Sequence, residues 1–308
     1  MGQIGLGLAA LGRPEYINIR LDTSIDKSEE AFRQNAIYVL DESYANGIRF
    51  FDTAPSYGRG ESFLMEWNAL RKYTDVTLST KWGYTYVANW KLGYKGSHEI
   101  KDHSLEKLLE QWEDSKTLIP NLKVYQIHSA TLESGVLENK AVLKKLSEIK
   151  KETGIQIGLT VSGIYQNKII EKASEIEFHG HDLFDSYQVT YNVFEQTTFN
   201  ALVMLKKAQK LLIIKEGLAN GRLFTHKNAI LNKLSLKYNV GIDAIALRFC
   251  LDAVNADVVL SGASDNKQLN ENLKANSFVL SEEDIQMLKG LKIPSDKYWN
   301  ERSSLGWN

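Results

Sequence analysis

Short apolar runs alternate along this chain with longer stretches of helical period. Eight runs, at residues 4–8, 49–52, 76–81, 124–128, 155–161, 186–190, 211–215 and 258–261, are rich in Val, Ile, Leu or aromatic residues. Most are bounded by turn-type residues, a pattern that predicts strands. Helices are predicted between them at residues 29–46, 104–117, 139–153, 165–177, 198–209, 226–238, 243–254 and 266–275, with an added helix over 281–291. In the first of these, Ala31, Phe32, Ile37, Val39 and Leu40 supply the apolar positions, and Gly47 follows as a helix-ending residue. Val142, Leu143, Leu146 and Ile149 form an apolar stripe that stops at Gly154. Ser104 is a candidate N-cap, and Ser281 with Asp284 forms a capped helix opening.

Eight strands alternating with helices are the signature of a (β/α)8 barrel. The length of 308 residues would also fit two average domains. No Pro- or Ser-rich linker divides the chain, and it holds only four prolines. A single barrel domain over residues 1–308, with a C-terminal extension from about residue 277, is therefore expected.

Composition narrows the function classes. Lys plus Arg is 37 and Asp plus Glu is 38, a net charge of −1. A nucleic-acid or anionic-membrane binder usually needs a basic excess, so neither partner is expected. Cys250 is the one cysteine, so an intrachain disulfide and a cysteine metal cluster are ruled out. No apolar run approaches the roughly 18 residues of a membrane helix. The apolar start has no basic residue ahead of it, so no secretory signal is expected and the expected location is cytoplasmic. Nothing in the pattern speaks to oligomeric state.

Candidate chemistry lies where the strands end. In barrels, catalytic groups sit at the C-terminal ends of strands. Those ends hold Asp52, Lys81, His128, Gln188 and Lys215, and Tyr57 follows Asp52 in the next loop. A tyrosine has a pKa of roughly 10. A neighbouring ammonium would lower it, and an aspartate would hold that ammonium. A histidine can orient a carbonyl. Such a set can protonate a carbonyl oxygen while hydride reaches its carbon from a cofactor, since no side chain donates hydride. Gly5-Leu6-Gly7-Leu8-Ala9-Ala10 formally matches a dinucleotide fingerprint, but Leu11-Gly12-Arg13-Pro14 follows it instead of a helix. That reading is set aside.

The motifs resemble a known family. Gly47-Ile48-Arg49-Phe50-Phe51-Asp52-Thr53-Ala54, with Tyr57-Gly58 and Glu61, resembles the signature of the aldo-keto reductases. Leu78-Ser79-Thr80-Lys81 is similar to their third strand, and Val124-Tyr125-Gln126-Ile127-His128 to their fourth. Tyr187-Gln188-Val189-Thr190-Tyr191-Asn192 is similar to the sixth. Gly262-Ala263-Ser264, with Gln268-Leu269 and Glu271-Asn272, resembles the cofactor-binding end. The resemblance runs from about residue 2 to about residue 275.

It implies Tyr57 as general acid or base, Lys81 tuning its pKa, Asp52 anchoring Lys81, and His128 positioning the substrate carbonyl. It implies a nicotinamide dinucleotide across the barrel mouth and a small carbonyl or alcohol substrate, a sugar included. Gln188, and Thr160 or Ser162, would meet the carboxamide. Lys215, Gly217 and Leu218 belong to the cofactor loop after strand seven. Gly262, Ala263 and Ser264 open a helix whose amides suit a phosphate, and Gln268, Glu271 and Asn272 would reach the adenosine.

There are departures from the family pattern. Many relatives carry a Lys and an Arg for the 2′-phosphate where Gly262 and Gln268 stand. Lys267 could contribute, and the Gly-Ala-Ser branches include NADPH users, so NADP(H) is favoured with NAD(H) open. Lys215 stands where an aromatic commonly stacks on the nicotinamide, with Tyr191 as a candidate substitute. Tyr84, Tyr86, Trp90 and Tyr94 in the third loop, and Trp299 and Trp307 in the tail, are candidate pocket aromatics or packing groups. His179-Gly180-His181 reads as a surface loop rather than a metal pair. Cys250 reads as interior packing, and Lys144-Lys145 and Lys150-Lys151 as a solvated helix face. Two other classes are an NADPH-binding sensor of the same fold with little turnover, and a metal-dependent barrel hydrolase, which the sparse histidines disfavour.

Overall fold

The computed structural model describes residues 2–16, 19, 26–225 and 228–306. All eight predicted strands form. They are β1 (Gln3–Gly7), β2 (Phe50–Asp52), β3 (Thr77–Trp82), β4 (Leu122–Ile127), β5 (Gln156–Thr160), β6 (Ser186–Thr190), β7 (Leu211–Lys215) and β8 (Val258–Ser261). Each pairs in parallel with its sequence neighbours, and β8 pairs back onto β1, closing the barrel. Apolar residues fill both surfaces of the sheet. Phe50, Val124, Ile213, Val258 and Leu260 form an inner cluster, while a larger one lies between strands and helices. This is the (β/α)8 architecture.

The register sets the height of the mouth residues. Gly7 lies opposite Asp52, Asp52 opposite Ser79, Gln188 opposite Thr160, and Thr190 opposite Lys215. A register shift between Leu78 and Ser79 adjusts β3 against β4 just before Lys81.

The helices are α1 (Glu29–Ala45), α2 (Gly60–Arg71), α3 (Leu105–Ser115), α4 (Lys140–Thr153), α5 (Gln166–Ser174), α6 (Phe199–Lys207), α7 (Ala229–Tyr238), α8 (Ile242–Val254), α9 (Asn266–Leu273), α10 (Glu282–Lys289) and α11 (Ser295–Ser303). Caps set several starts. The hydroxyls of Ser104 and Ser281 accept from the amides of Lys107 and Asp284, which fits the predicted openings. Gly154 ends α4 at φ +73°, a conformation that costs glycine little. His226, the predicted start of the helix observed as α7, lies outside the described residues.

Two helices were not expected. The start of α2 has no side-chain cap, although Phe63, Leu64 and Trp67 give it a buried face. In α11 only Tyr298 is buried, so no apolar period announces it. That residue is nevertheless a firm anchor: Asn192 donates to its hydroxyl at 2.9 Å, and the Arg222 guanidinium lies 4.1 Å from its ring centroid. The tail is thereby tied over the barrel mouth. Two small hairpins also go beyond the expected set, Tyr84–Tyr86 with Glu99–Lys101 and Glu177–Phe178 with His181–Asp182.

Other residues stand as follows. His179 and Gly180 form the turn of the second hairpin, at φ +53° and +78°. Cys250 is buried, its Sγ 3.3 Å from the Tyr191 carbonyl, and burial pushes its thiol pKa up. Lys150 corrects the solvated-face reading: its ammonium reaches Asp185 at 2.8 Å and the carbonyls of Asp182 and Leu183.

Candidate active site

Strands place alternate side chains inside the barrel, so Ser79 and Lys81 share the interior face, as do Gln126 and His128. Asp52, at the end of β2, meets them and is 1 % exposed. Its Oδ1 accepts from Ser79 Oγ at 2.9 Å, from Gln188 Nε2 at 2.9 Å and from Gln126 Nε2 at 3.4 Å. Its Oδ2 accepts from Lys81 Nζ at 2.5 Å. Lys81 is fully buried and also donates to the Thr53 carbonyl at 2.8 Å. A buried ion pair persists when its remaining groups are hydrogen-bonded, and both partners meet that condition. Burial lowers the Lys81 pKa, and Asp52 opposes the shift.

Tyr57 is held by a crossing of two loops. A Cβ on Gly12 would meet the Tyr57 carbonyl at 2.0 Å, and one on Gly58 (φ +63°) would meet the Gly12 carbonyl at 2.2 Å. Both positions therefore require glycine. The ring stands with its centroid 4.7 Å from Lys81 Nζ. The phenol is raised well above its usual pKa, by burial first and then by the Asp52 carboxylate. Lys81 is paired with Asp52, and Tyr57 keeps its proton.

His128 lies across from it, with ring centroids 5.5 Å apart and nearly perpendicular. Burial, then the charges of Lys81, Lys215 and Arg13, hold the imidazole well below its usual pKa, so it is neutral. Ser56 Oγ stands 3.4 Å from Nδ1, which leaves Nε2 for a ligand. Among the third-loop aromatics, Tyr84 alone lines the cleft, 4.8 Å from the His128 ring. Tyr86 accepts from the Trp90 amide, Trp90 packs edge-on against Phe32, and Tyr94 packs against His98. From the tail, Trp299 lines the cleft, while Trp307 lies outside the described residues.

The cleft has a volume of about 1200 Å³ and runs from Tyr57 to the start of α9. Pockets for drug-sized ligands reach roughly 1,000 Å³, so this one has room for a long ligand and a small one together. Toward β5–β7, Thr160 Oγ1 accepts from the Ser129 amide at 2.7 Å. Lys215 Nζ donates to Ser162 Oγ at 2.6 Å and to Thr190 Oγ1 at 2.9 Å. Gly217 and Leu218 follow in a loop where Glu216, Ala219 and Asn220 all have φ near +50°. Positive φ in such residues costs energy and concentrates at functional sites. Tyr191 corrects its expected role: it is buried and stacked on Phe249, 5.7 Å between centroids, away from the cleft.

At the far end, Gly262 opens onto space, with nothing within 4 Å of an added Cβ. Ala263 instead faces the core. Ser264 donates to Gln268 Oε1 through its amide and hydroxyl at 3.1 and 3.3 Å. Glu271 pairs with Lys274 at 2.7 Å, and Asn272, buried, donates to Ser261 Oγ at 2.8 Å. The helix start carries a cap of its own. Asp265 caps it, accepting from the Gln268 amide at 2.8 Å, so a carboxylate already occupies the positive end of the helix.

Several cleft residues were not anticipated. Arg13 donates to the Ser56 carbonyl at 3.2 Å and pairs with Glu99, and its guanidinium is 5.4 Å from the Tyr57 ring centroid. Arg302 of α11 pairs with Glu216 at 3.0 Å. Asp243 joins Asp265 and Glu271 along the α9 end. Ser79 and Gln126 could have been found from the strand period, since each stands two positions before a chemistry-bearing residue. Among the described residues, no three His, Cys, Asp or Glu side chains gather as a metal site, and no helix is long and apolar enough to cross a membrane.

Known proteins resemble this chain. A family model described as the Aldo/keto reductase family matches residues 3–293. An uncharacterized oxidoreductase, YqkF, of Bacillus subtilis (strain 168) is 26% identical over 286 residues, covering 83% of this chain and 87% of the relative. An NADH-specific methylglyoxal reductase of Escherichia coli (strain K12) is 24% identical over 323 residues, 94% of each chain. Among solved structures, the glycerol dehydrogenase of Gluconobacter oxydans superposes with a TM-score of 0.70 at 19% identity, covering 94% of this chain and 90% of the other. The holo form of an aldo-keto reductase from Bacillus halodurans gives 0.69 at 20% identity, covering 94% and 91%.

Proposed function

The chain belongs to the aldo/keto reductase family, and from that premise we propose that it carries out reversible hydride transfer between a nicotinamide cofactor and an aldehyde or ketone. The observation that carries the reading is the placement of a protonated phenol, Tyr57, beside a buried Lys81–Asp52 pair and opposite a neutral His128. When bound, the cofactor supplies or accepts the hydride. The side chains do the rest. Tyr57 gives its proton to the carbonyl oxygen in reduction and takes it back in alcohol oxidation. The neutral His128 offers Nε2 to the same oxygen without competing for the proton. Lys81, fixed by Asp52, places a positive charge under the phenol, which favours the phenolate formed once the proton has gone.

The residues present fit such a cofactor. The cleft exceeds the needs of a small substrate, Gly262 leaves its wall open, and Ser162 and Gln188 offer polar groups near the reaction end. Gln188, held by Asp52 through Nε2, would meet the carboxamide together with Ser162, whose hydroxyl accepts from Lys215 and keeps its own hydrogen free. At the adenosine end we favour NAD(H), revising the sequence-based preference for NADP(H). A 2′-phosphate would meet Asp243 and Asp265 beside Lys267, and Glu271, which is paired with Lys274, and like charges at close range repel.

The experiment is titration of the protein with NADH and NADPH, followed by nicotinamide fluorescence, and then a panel of aldehydes, ketones and sugars. Expected are NADH binding at least about tenfold tighter than NADPH, since about 1.4 kcal/mol is tenfold, and carbonyl-dependent oxidation of the bound cofactor. Absence of binding by either cofactor would overturn the proposal.

A further inference from the structure

We propose that Lys215 makes the cleft distinguish the two oxidation states of a nicotinamide cofactor, holding the uncharged reduced ring more tightly than the cationic oxidised one. The inference rests on the reading above, in which Ser162 lies where the carboxamide binds.

Lys215 ends β7 and lines the cleft. An ammonium has three N–H groups and no lone pair. Two are given to hydroxyl oxygens, Ser162 Oγ at 2.6 Å and Thr190 Oγ1 at 2.9 Å. Both hydroxyls therefore accept, and their own hydrogens are left to point elsewhere. The charge itself is not neutralised. Lys81 has Asp52, Arg13 has Glu99 and Arg302 has Glu216. Among the described residues, Lys215 forms no ion pair with a carboxylate.

The groups around it are few. Glu216, next in the chain, is turned to Arg302 of α11, and the Lys81–Asp52 pair lies across the barrel. His128 is neutral and feels the Lys215 charge. Burial is the largest cause that brings the Lys215 pKa down to about 8. That value limits the effect. A cationic ring can expel the proton instead of facing it, so discrimination cannot exceed the cost of that loss. Proton linkage puts the limit at about tenfold at pH 7, with little left at pH 9.

The test measures dissociation constants for NADH, NAD+ and ADP-ribose, which lacks the nicotinamide, in the wild type, Lys215→Met and Lys215→Arg. At pH 7, Lys215→Met is expected to lower the NAD+ to NADH ratio of dissociation constants about tenfold. The difference should close by pH 9. Lys215→Arg should keep the ratio at both pH values, and ADP-ribose should bind all three proteins alike. Calorimetry on the wild type alone, in buffers of different ionisation enthalpy, should show proton release on NAD+ binding at pH 8 and none with NADH. An unchanged ratio, or NAD+ binding without proton release, overturns the inference even if both cofactors bind. If none of the three ligands binds, the functional proposal falls and takes this inference with it.

Discussion

The two ends of the cleft are built differently. At the reaction end, Asp52, Lys81, Ser79, Gln126 and Gln188 stand on barrel strands, and each is fully buried or nearly so. Their partners reach across the barrel from other strands. At the α9 end, the polar groups stand on a loop and a short helix, mostly in reach of solvent, and they satisfy one another over three or four positions. Gln268 serves Ser264, Lys274 serves Glu271, and Asp265 caps its own helix. A burial-dependent network is costly to break and rigid. A set of local exposed contacts is cheap to change, which suits a region that tunes which cofactor is taken.

The sharpest way to break this comparison is to remove one charge at each end. Lys81→Met leaves the Asp52 carboxylate buried without its cation and is expected to cost about 3–5 kcal/mol of stability. Glu271→Gln, in a partly exposed pair, is expected to change stability by no more than about 0.5 kcal/mol. Urea denaturation of both variants checks this, and equal losses would erase the distinction.

Glu61 of α2 binds Thr80, on the outer face of β3, and gives a pH test. Its carboxyl accepts from Thr80 at 2.5 Å and from Ser115 at 3.2 Å, and burial pushes its pKa up to about 7. An acid raised on folding is most favourable when protonated. Its contribution is therefore lost as pH rises from the unfolded value near 4.5 toward 7, and is level above that. The loss is of order 3 kcal/mol, from about 1.4 kcal/mol per pKa unit. Glu61→Gln should remove this fall, so the wild type should lose stability relative to the variant between pH 5 and pH 7.5. Parallel curves would contradict the assignment.

The smallest effect belongs to the α9 end. Replacing Asp265 by Asn and Glu271 by Gln keeps the cap, because Asn caps as well as Asp, and removes two negative charges. NADPH should then bind about five- to tenfold more tightly while NADH is little changed. Unchanged NADPH affinity would show that the carboxylates do not exclude the 2′-phosphate.

The same division decides what could be read from the sequence. Strand period placed Asp52, Lys81 and His128 at one barrel face, because a strand's end is visible in its own residues. Tyr57 was found in the loop after Asp52, and the family motifs gave it its role. The period also holds Ser79 and Gln126, two positions upstream, and a closer reading would have included them. The start of α9 was read as a phosphate site, and the structure adds a cap there, Asp265. Arg13 and Glu99 are 86 positions apart and meet only through the fold. α11 escaped because a single residue, Tyr298, carries its packing. The upward shift of Tyr57 was not legible, because its largest cause is burial, which the fold sets and the motif does not show.

The most direct test of the account is Tyr57→Phe. The ring, the Lys81–Asp52 pair and the cleft wall stay, and only the hydroxyl is lost. Single-turnover oxidation of bound NADH by a carbonyl substrate identified in the panel should slow by about 10²–10⁴-fold, while the NADH dissociation constant stays within about twofold. Turnover at the wild-type rate with intact binding would contradict the assignment of Tyr57 as the proton donor, and with it the account of the site.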